Sequence, residues 1–313
     1  MDLCSRKTVV FLVLAFAFAS KGYAQEAAPL VPAIVSFGDS SVDVGNNNHL
    51  LTYFKANYPP YGREFIDHQP TGRFSDGKLV TDFTADTLGF KTYAPAYLSS
   101  QATGKNLLIG ANFASAGSGY DGNTSIINHA ISLTHQLQYY REYQSKLAKL
   151  AGRKQSASII KDAIYIVGTG SGDFLQNYYA KPSLNKVYTP EQYSSMLVKS
   201  FSSFIKVNSS ASNLQKQLPG LKIVIFDIFK PLHELVQSPS KFDSFFALLG
   251  FVEATRSCCG TGTTKRTVFL CNQKSARTCP NASQYVFWDS VHPSQAANKV
   301  IADEMIVQGF ALI

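Results

Sequence analysis

Apolar and polar positions alternate along the chain in blocks that read as short buried strands separated by amphipathic helices. Ala33 to Phe37 is an apolar run that stops at Gly38, and Leu107 to Ala114, Ala163 to Val167 and Leu221 to Ile228 repeat the pattern. Between them, apolar residues recur at helical spacing over Lys78 to Leu88, Ser132 to Leu150 and Pro190 to Ile205. Ser294, then Gln295 and an apolar-periodic run to Phe310, predict a capped C-terminal helix. Strands of unbroken Ile, Val and Phe suit a sheet covered on both faces, and the intervening helices supply the cover. The pattern therefore predicts an α/β fold with a mainly parallel sheet. No linker divides these elements, so residues 25–313 are expected to form one domain. In such sheets ligands sit beyond the carboxyl ends of the strands, which makes the loops after the strands the place to look for chemistry.

Composition narrows the class. With 313 residues, 45% hydrophobic and 16% charged, the chain has ample side chain for a core, and disorder is excluded. Its 22 Phe and 16 Tyr read as core and crevice lining. The first 24 residues differ from the rest. Arg6 and Lys7 precede an apolar run from Val9 to Phe18, and Gly22 and Ala24 are small residues ahead of a cut, so residues 1–24 read as a signal peptide. That run is too short for a membrane anchor, and no second one follows, so a secreted, extracellular protein without a transmembrane segment is expected. The net charge of +8 falls to +6 without the leader, and this dispersed excess does not suit a nucleic-acid partner. After Cys4 leaves with the leader, Cys258, Cys259, Cys271 and Cys279 remain, an even set that fits disulfides in an oxidising compartment. The adjacent pair should find partners elsewhere, and zinc ligation is disfavoured because no CxxC or neighbouring His pair is present. Asn123, Asn208 and Asn281 each open an N-x-Ser/Thr sequon, the pattern of a glycoprotein.

Four blocks carry candidate chemistry. The first strand runs into FGDSSVDVGNNN, Phe37 to Asn48, where a serine after a strand and a Gly turn can present its hydroxyl at the sheet edge. Near the other end, VFWDSVHPS holds Asp289 and His292 three residues apart, so one loop could deliver both a base and the carboxylate that orients it. His49 lies near the serine but lacks such a partner at comparable spacing, His129 and His135 fall on a helix or its approach, and His68 and His233 read as surface or core packing. GANFASAGSGY, Gly110 to Tyr120, and GTGSGDFLQNYY, Gly168 to Tyr179, end strands in small-residue loops whose backbone N–H groups could reach an oxyanion. Neither matches a phosphate- or dinucleotide-binding loop, and no cofactor or metal is implied.

Taken together and in this order, the blocks resemble the GDSL esterase/lipase family of plants, within the SGNH hydrolase superfamily. The resemblance extends over nearly all of the chain after the leader, including PTGRFSDG at Pro70 to Gly77, SLTHQLQYYREYQSKL at Ser132 to Leu147, and LCNQK near the end. It implies a three-layer α/β/α sandwich, with Ser40 as nucleophile, His292 as general base and Asp289 as its orienting carboxylate. It also implies that the N–H groups of Ser40 and Gly117 form an oxyanion hole. The expected function is a secreted serine ester hydrolase that cleaves carboxylic esters of a lipid, a small acylated molecule or a polysaccharide through an acyl-enzyme.

Two departures from the family pattern qualify this expectation. The family's third block reads Gly-x-Asn-Asp, with the Asn amide as a further oxyanion donor, whereas here Gly170, Ser171, Gly172 and Asp173 stand at these positions. Loss of one such donor costs roughly 10² to 10³ in rate, so reduced activity is expected. In addition, the chain passes from Phe204 and Ile205 through Val207 to Gln217 straight to Leu221, without an interior strand–helix unit that related chains carry between the strands ending near Val167 and Ile228. Removing a whole unit keeps the later strands parallel but could shift the loop with Asp289 and His292 by a strand spacing, about 4.7 to 4.9 Å. The alternative expectation is a catalytically impaired secreted binding protein on a hydrolase scaffold.

Overall fold

A computed structural model describes residues 28–210, 225–241, 250–259, 270–271 and 278–309. The predicted leader, most of the Val207 to Gln217 passage, the first half of the Leu221 to Ile228 run and the side chain of Asn208 lie outside the described residues.

Among the described residues the core is a parallel sheet of three strands, β1 (Ile34–Gly38), β2 (Gly110–Asn112) and β3 (Ile164–Gly168), in the order β2-β1-β3. The period of two along β1 divides its side chains between two helical layers. Ala33, Val35 and Phe37 pack with Leu133, Leu137 and Tyr140 of α3 (Leu133–Asp162) and with Phe204 of α5 (Pro190–Ser210). Ile34 faces the other way, with Ile164 and Ile166 of β3, against Ala85 and Leu88 at α1 (Val80–Thr87). The C-terminal helix α7 (Gln295–Gly309) lies beside α1 on that second face. This is the predicted sandwich: a parallel sheet between two helical layers.

The other helices among the described residues are α2 (Gly122–Asn128), α4 (Pro182–Val187) and α6 (Phe229–Gln237). Each predicted helix is found, with shifted ends. Ser132 caps α3, accepting from His135 N, and α3 continues past Leu150 through a kink at Gly152 (φ 78°). Ser294 caps α7, accepting from Ala297 N at 3.2 Å.

Two strand expectations are corrected. Of Leu107 to Ala114 only Gly110–Asn112 is strand, because Gly104–Ile109 winds as a 3₁₀ turn that ends on Gly110 at φ 108°. A Cβ on Gly110 would lie 1.8 Å from the Ile34 carbonyl, so only glycine lets β2 start against β1 there. The described part of Leu221 to Ile228 is not strand either: residues 225–228 are irregular, Ile225 is 83% exposed, and α6 begins at Phe229. An apolar run becomes a strand only where a neighbour completes its hydrogen-bond ladder, and none is beside it among the described residues.

The C-terminal block is consequently mounted differently from the sequence expectation. A separate two-stranded parallel sheet, β4 (Glu253–Ser257) with β5 (Tyr285–Phe287), carries it. Directly after β4 the adjacent cysteines diverge, as expected: Cys258 bonds Cys279 and Cys259 bonds Cys271. Cys259 N donates to the Trp288 carbonyl at 2.7 Å, fastening this staple to the chain just before Asp289.

Candidate active site

Ser40 follows β1 across a turn that depends on Gly38 (φ 141°), whose Cβ, if present, would lie 1.9 Å from the Gly168 carbonyl. Gln136 of α3 fixes this turn from below. Its Oε1 accepts from Gly38 N and its Nε2 donates to the Gly38 carbonyl, both at 2.9 Å. Asp39 reaches across to the loop after β3, accepting from Gly170 N at 3.2 Å and Ser171 Oγ at 3.0 Å. The polar run that follows supports the loop after β2. Asp43 accepts from Ala116 N at 2.9 Å, and Asn47 Nδ2 donates to the Ala116 carbonyl at 2.8 Å. Burial pushes the Asp43 carboxyl up to about 6, against the pull of the amides of Gly45, Ala116 and Asn46.

On the opposite wall, β5 leads through the fully buried Trp288 into Asp289. Asp289 Oδ1 accepts from Val291 N at 2.9 Å and His292 N at 2.7 Å, which curls the chain so that both ends of D-x-x-H face one another. The His292 ring places Nδ1 2.8 and 2.9 Å from the two Asp289 oxygens. Its Nε2 lies 2.7 Å from Ser40 Oγ. The structure thus brings Ser40, His292 and Asp289 into one hydrogen-bonded row across 252 residues of sequence, with Asp289 fully buried and the other two nearly so.

Burial works against the charge of Asp289, but His292 and the surrounding N–H donors outweigh it and hold the carboxyl below its usual range. Tyr61 adds a hydroxyl that donates to Asp289 Oδ2 at 2.8 Å. Burial first, and the Asp289 charge second, push that phenol well above its ordinary range, so it remains a donor. Phe74 tilts against the His292 ring, 4.9 Å between centroids.

The PTGRFSDG segment couples the two walls. Arg73 makes a buried two-pronged pair with Asp82, both bonds 2.8 Å, and Asp76 accepts from Gln295 N at 2.7 Å at the start of α7.

Gly117, in the loop after β2, has φ 84°. Among the described residues neither its N–H nor that of Ser40 donates to a protein acceptor, so both amides are available. At the departure from the family pattern, Gly172 has no side chain to offer, and Asp173 behind it holds the Tyr120 and Asp121 amides and the Thr124 hydroxyl at 2.8, 3.1 and 2.6 Å. Asn123 and Asn281 are exposed, and Asn281 Oδ1 accepts from Ser283 of its own sequon at 2.7 Å.

Sequence reasoning gave no role to Tyr61, Phe74, Gln136 or Asp43. The blocks holding Phe74 and Gln136 carried the family resemblance, but a block does not say what each member touches. For Tyr61 no local signal existed.

A serine on the turn after a parallel strand, an imidazole and a buried carboxylate in one hydrogen-bonded row form the arrangement used by serine hydrolases, and the family match makes the class that of serine carboxylic ester hydrolases. The chain belongs to the family described as GDSL-like lipase/acylhydrolase, whose model matches residues 34–200 and 187–305. Among its relatives, GDSL esterase/lipase APG of Arabidopsis thaliana is 50% identical over 362 aligned positions that cover 100% of both chains. GDSL esterase/lipase At5g03820 from the same plant is 44% identical over 97% of this chain and 98% of its own, and At5g03810 is 46% identical over 91% and 92%. The 362-position alignment is longer than the 313-residue chain, so that relative has a stretch without counterpart here. The family match also falls into two pieces that meet at residues 187–200, close to the departure read after Ile205.

Proposed function

We propose that this protein is a secreted serine esterase in which Ser40 attacks the carbonyl carbon of a carboxylic ester and forms an acyl-enzyme. Nδ1–H of His292 donates to Asp289, which leaves Nε2 to accept the Ser40 proton as the new C–O bond forms. The same proton then passes to the departing alcohol, and water, activated by the same nitrogen, releases the acid. The Ser40 and Gly117 amides bind the oxyanion. Supporting this reading is one observation above the rest: the Asp289–His292–Ser40 row with contacts of 2.8 and 2.7 Å.

The signal-like leader, the paired cysteines and the exposed sequons at Asn123 and Asn281 support an extracellular glycoprotein of one domain, with Asn208 as a third glycan site. Gly172 in place of the family Asn supports a slower enzyme than its relatives. That same observation favours the second reading, a scaffold that binds esters without turning them over.

Hydrolysis of a short p-nitrophenyl ester separates the two. The esterase reading expects turnover that Ser40→Ala abolishes. Ester-dependent stabilisation in a melting assay without turnover selects the binding protein.

A further inference from the structure

The space left by the missing side chain at Gly172 is filled by another amide. A Cβ there would lie 3.2 Å from Gln176 Oε1, 3.2 Å from the Ser118 carbonyl and 3.5 Å from Thr124 Cγ2. Gln176 stands four residues on, within the helical turn Asp173–Tyr178, so its side chain lies over position 172. Its carboxamide therefore takes up the region that an Asn side chain from position 172 would enter.

Neighbouring donors are already committed. Ser171 Oγ donates to Asp39. Asn177 Nδ2 is held among Asp121, Thr124 and Tyr193 at 2.9, 3.2 and 3.1 Å. Asn128 Nδ2 has two hydrogens and spends them on the Gly117 carbonyl at 2.9 Å and Gln176 Oε1 at 2.7 Å. Gln176 Nε2, by contrast, has no acceptor among the described residues, and the side chain is only half-buried. The bond from Asn128 fixes Oε1 and thereby ties the Gln176 carboxamide to the loop that presents the Gly117 N–H.

We propose that Gln176 Nε2 is the third oxyanion donor of this enzyme, in place of the Asn absent at position 172. As Ser40 Oγ bonds to the carbonyl carbon and its proton passes to His292, the carbonyl π pair moves onto oxygen, and Nε2–H donates to that oxygen beside the amides of Ser40 and Gly117. The role rests on the ester-hydrolase reading.

The test is p-nitrophenyl butyrate kinetics and melting temperature for the full chain and four variants: Gln176→Ala, Gln176→Glu, Gly172→Asn, and Gly172→Asn with Gln176→Ala. Gln176→Glu keeps an oxygen for Asn128 but removes the donor. Both single changes at 176 are expected to lower kcat by roughly 10²-fold with KM nearly unchanged, the signature of a donor used only in the transition state. Gly172→Asn alone should not raise kcat, because Gln176 is in the way, whereas in the Gln176→Ala background it should recover most of the loss. Full kcat in a folded Gln176→Ala protein, a loss confined to KM, or no recovery in the double variant overturns this role alone. Absence of Ser40-dependent turnover in the wild type overturns the hydrolase reading and this role with it.

Discussion

Asp289 has no exposed surface yet keeps its charge, because two backbone amides, a phenol and an imidazole converge on its two oxygens. Its amide analogue could not accept all of these bonds and would hold His292 in the wrong tautomer. Asp289→Asn is therefore expected to lower kcat by about 10⁴ with little change in KM, as for the corresponding change in a well-studied protease. A loss below tenfold in steady-state kinetics would show that the carboxylate does not orient the ring. Tyr61→Phe removes one donor to Asp289 and leaves the Cys271 N–H, 3.2 Å from the phenol oxygen, without its acceptor. A destabilisation of about 1–3 kcal/mol is expected by urea unfolding, and an unchanged midpoint would contradict it. Of these residues the sequence revealed the ones whose spacing is chemically loaded. D-x-x-H can be read locally because a short turn closes on itself. Tyr61 lies 228 residues from the carboxylate it serves, and a tyrosine in an aromatic-rich chain carries no mark of that partner.

Strands β1 and β3 were readable because both are short, mostly apolar runs that stop at a glycine, and β1 is buried throughout between two helical layers. The run at Leu107 holds a shorter strand than its apolarity suggests, and the described part of the Leu221 run holds none, because a strand also needs a partner in register. The small β4–β5 sheet escaped notice because Glu253–Ser257 alternates weakly and Tyr285–Phe287 is only three residues long. These two strands, with the disulfides behind them, hold the His292 loop where the larger sheet does not. Cys258, Cys259 and Cys271 are buried with Tyr61, Phe74 and Trp288, the residues that back Asp289 and His292. Reduction of the disulfides should lower the unfolding free energy by about 2–4 kcal/mol and reduce turnover at concentrations of urea that spare the oxidised protein. Coincident urea curves with and without reductant would refute that coupling.

The molecule as a whole balances carboxyl groups displaced in opposite directions. Burial raises Asp43, Asp76 and Asp173 from 3.8 to about 6 each, while Asp289 is lowered. A carboxyl raised in the folded state contributes stability that is complete below its unfolded value, near 4, and is lost as pH rises through about 6. Asp289 acts in the other sense, contributing above about pH 4 and losing its contribution as pH falls through its lowered value. The melting temperature is accordingly expected to be higher near pH 5 than near pH 7.5 and to drop again below about pH 4. A scan by calorimetry that rises steadily from pH 5 to 7.5 would contradict this assignment. Without the stretch that the APG relative carries and that has no counterpart here, the two walls of the site are still in contact, because the Pro70 to Gly77 segment bonds both: its Thr71 carbonyl accepts from Asn48 Nδ2 and its Asp76 from Gln295 N. The most direct measurement is reaction of the folded protein with a fluorophosphonate, followed by mass spectrometry of the modified peptide. Stoichiometric modification of Ser40, absent in Ser40→Ala and strongly slowed in His292→Ala, is the predicted result. A folded wild-type protein that stays unmodified, or that reacts at another residue, would contradict the account.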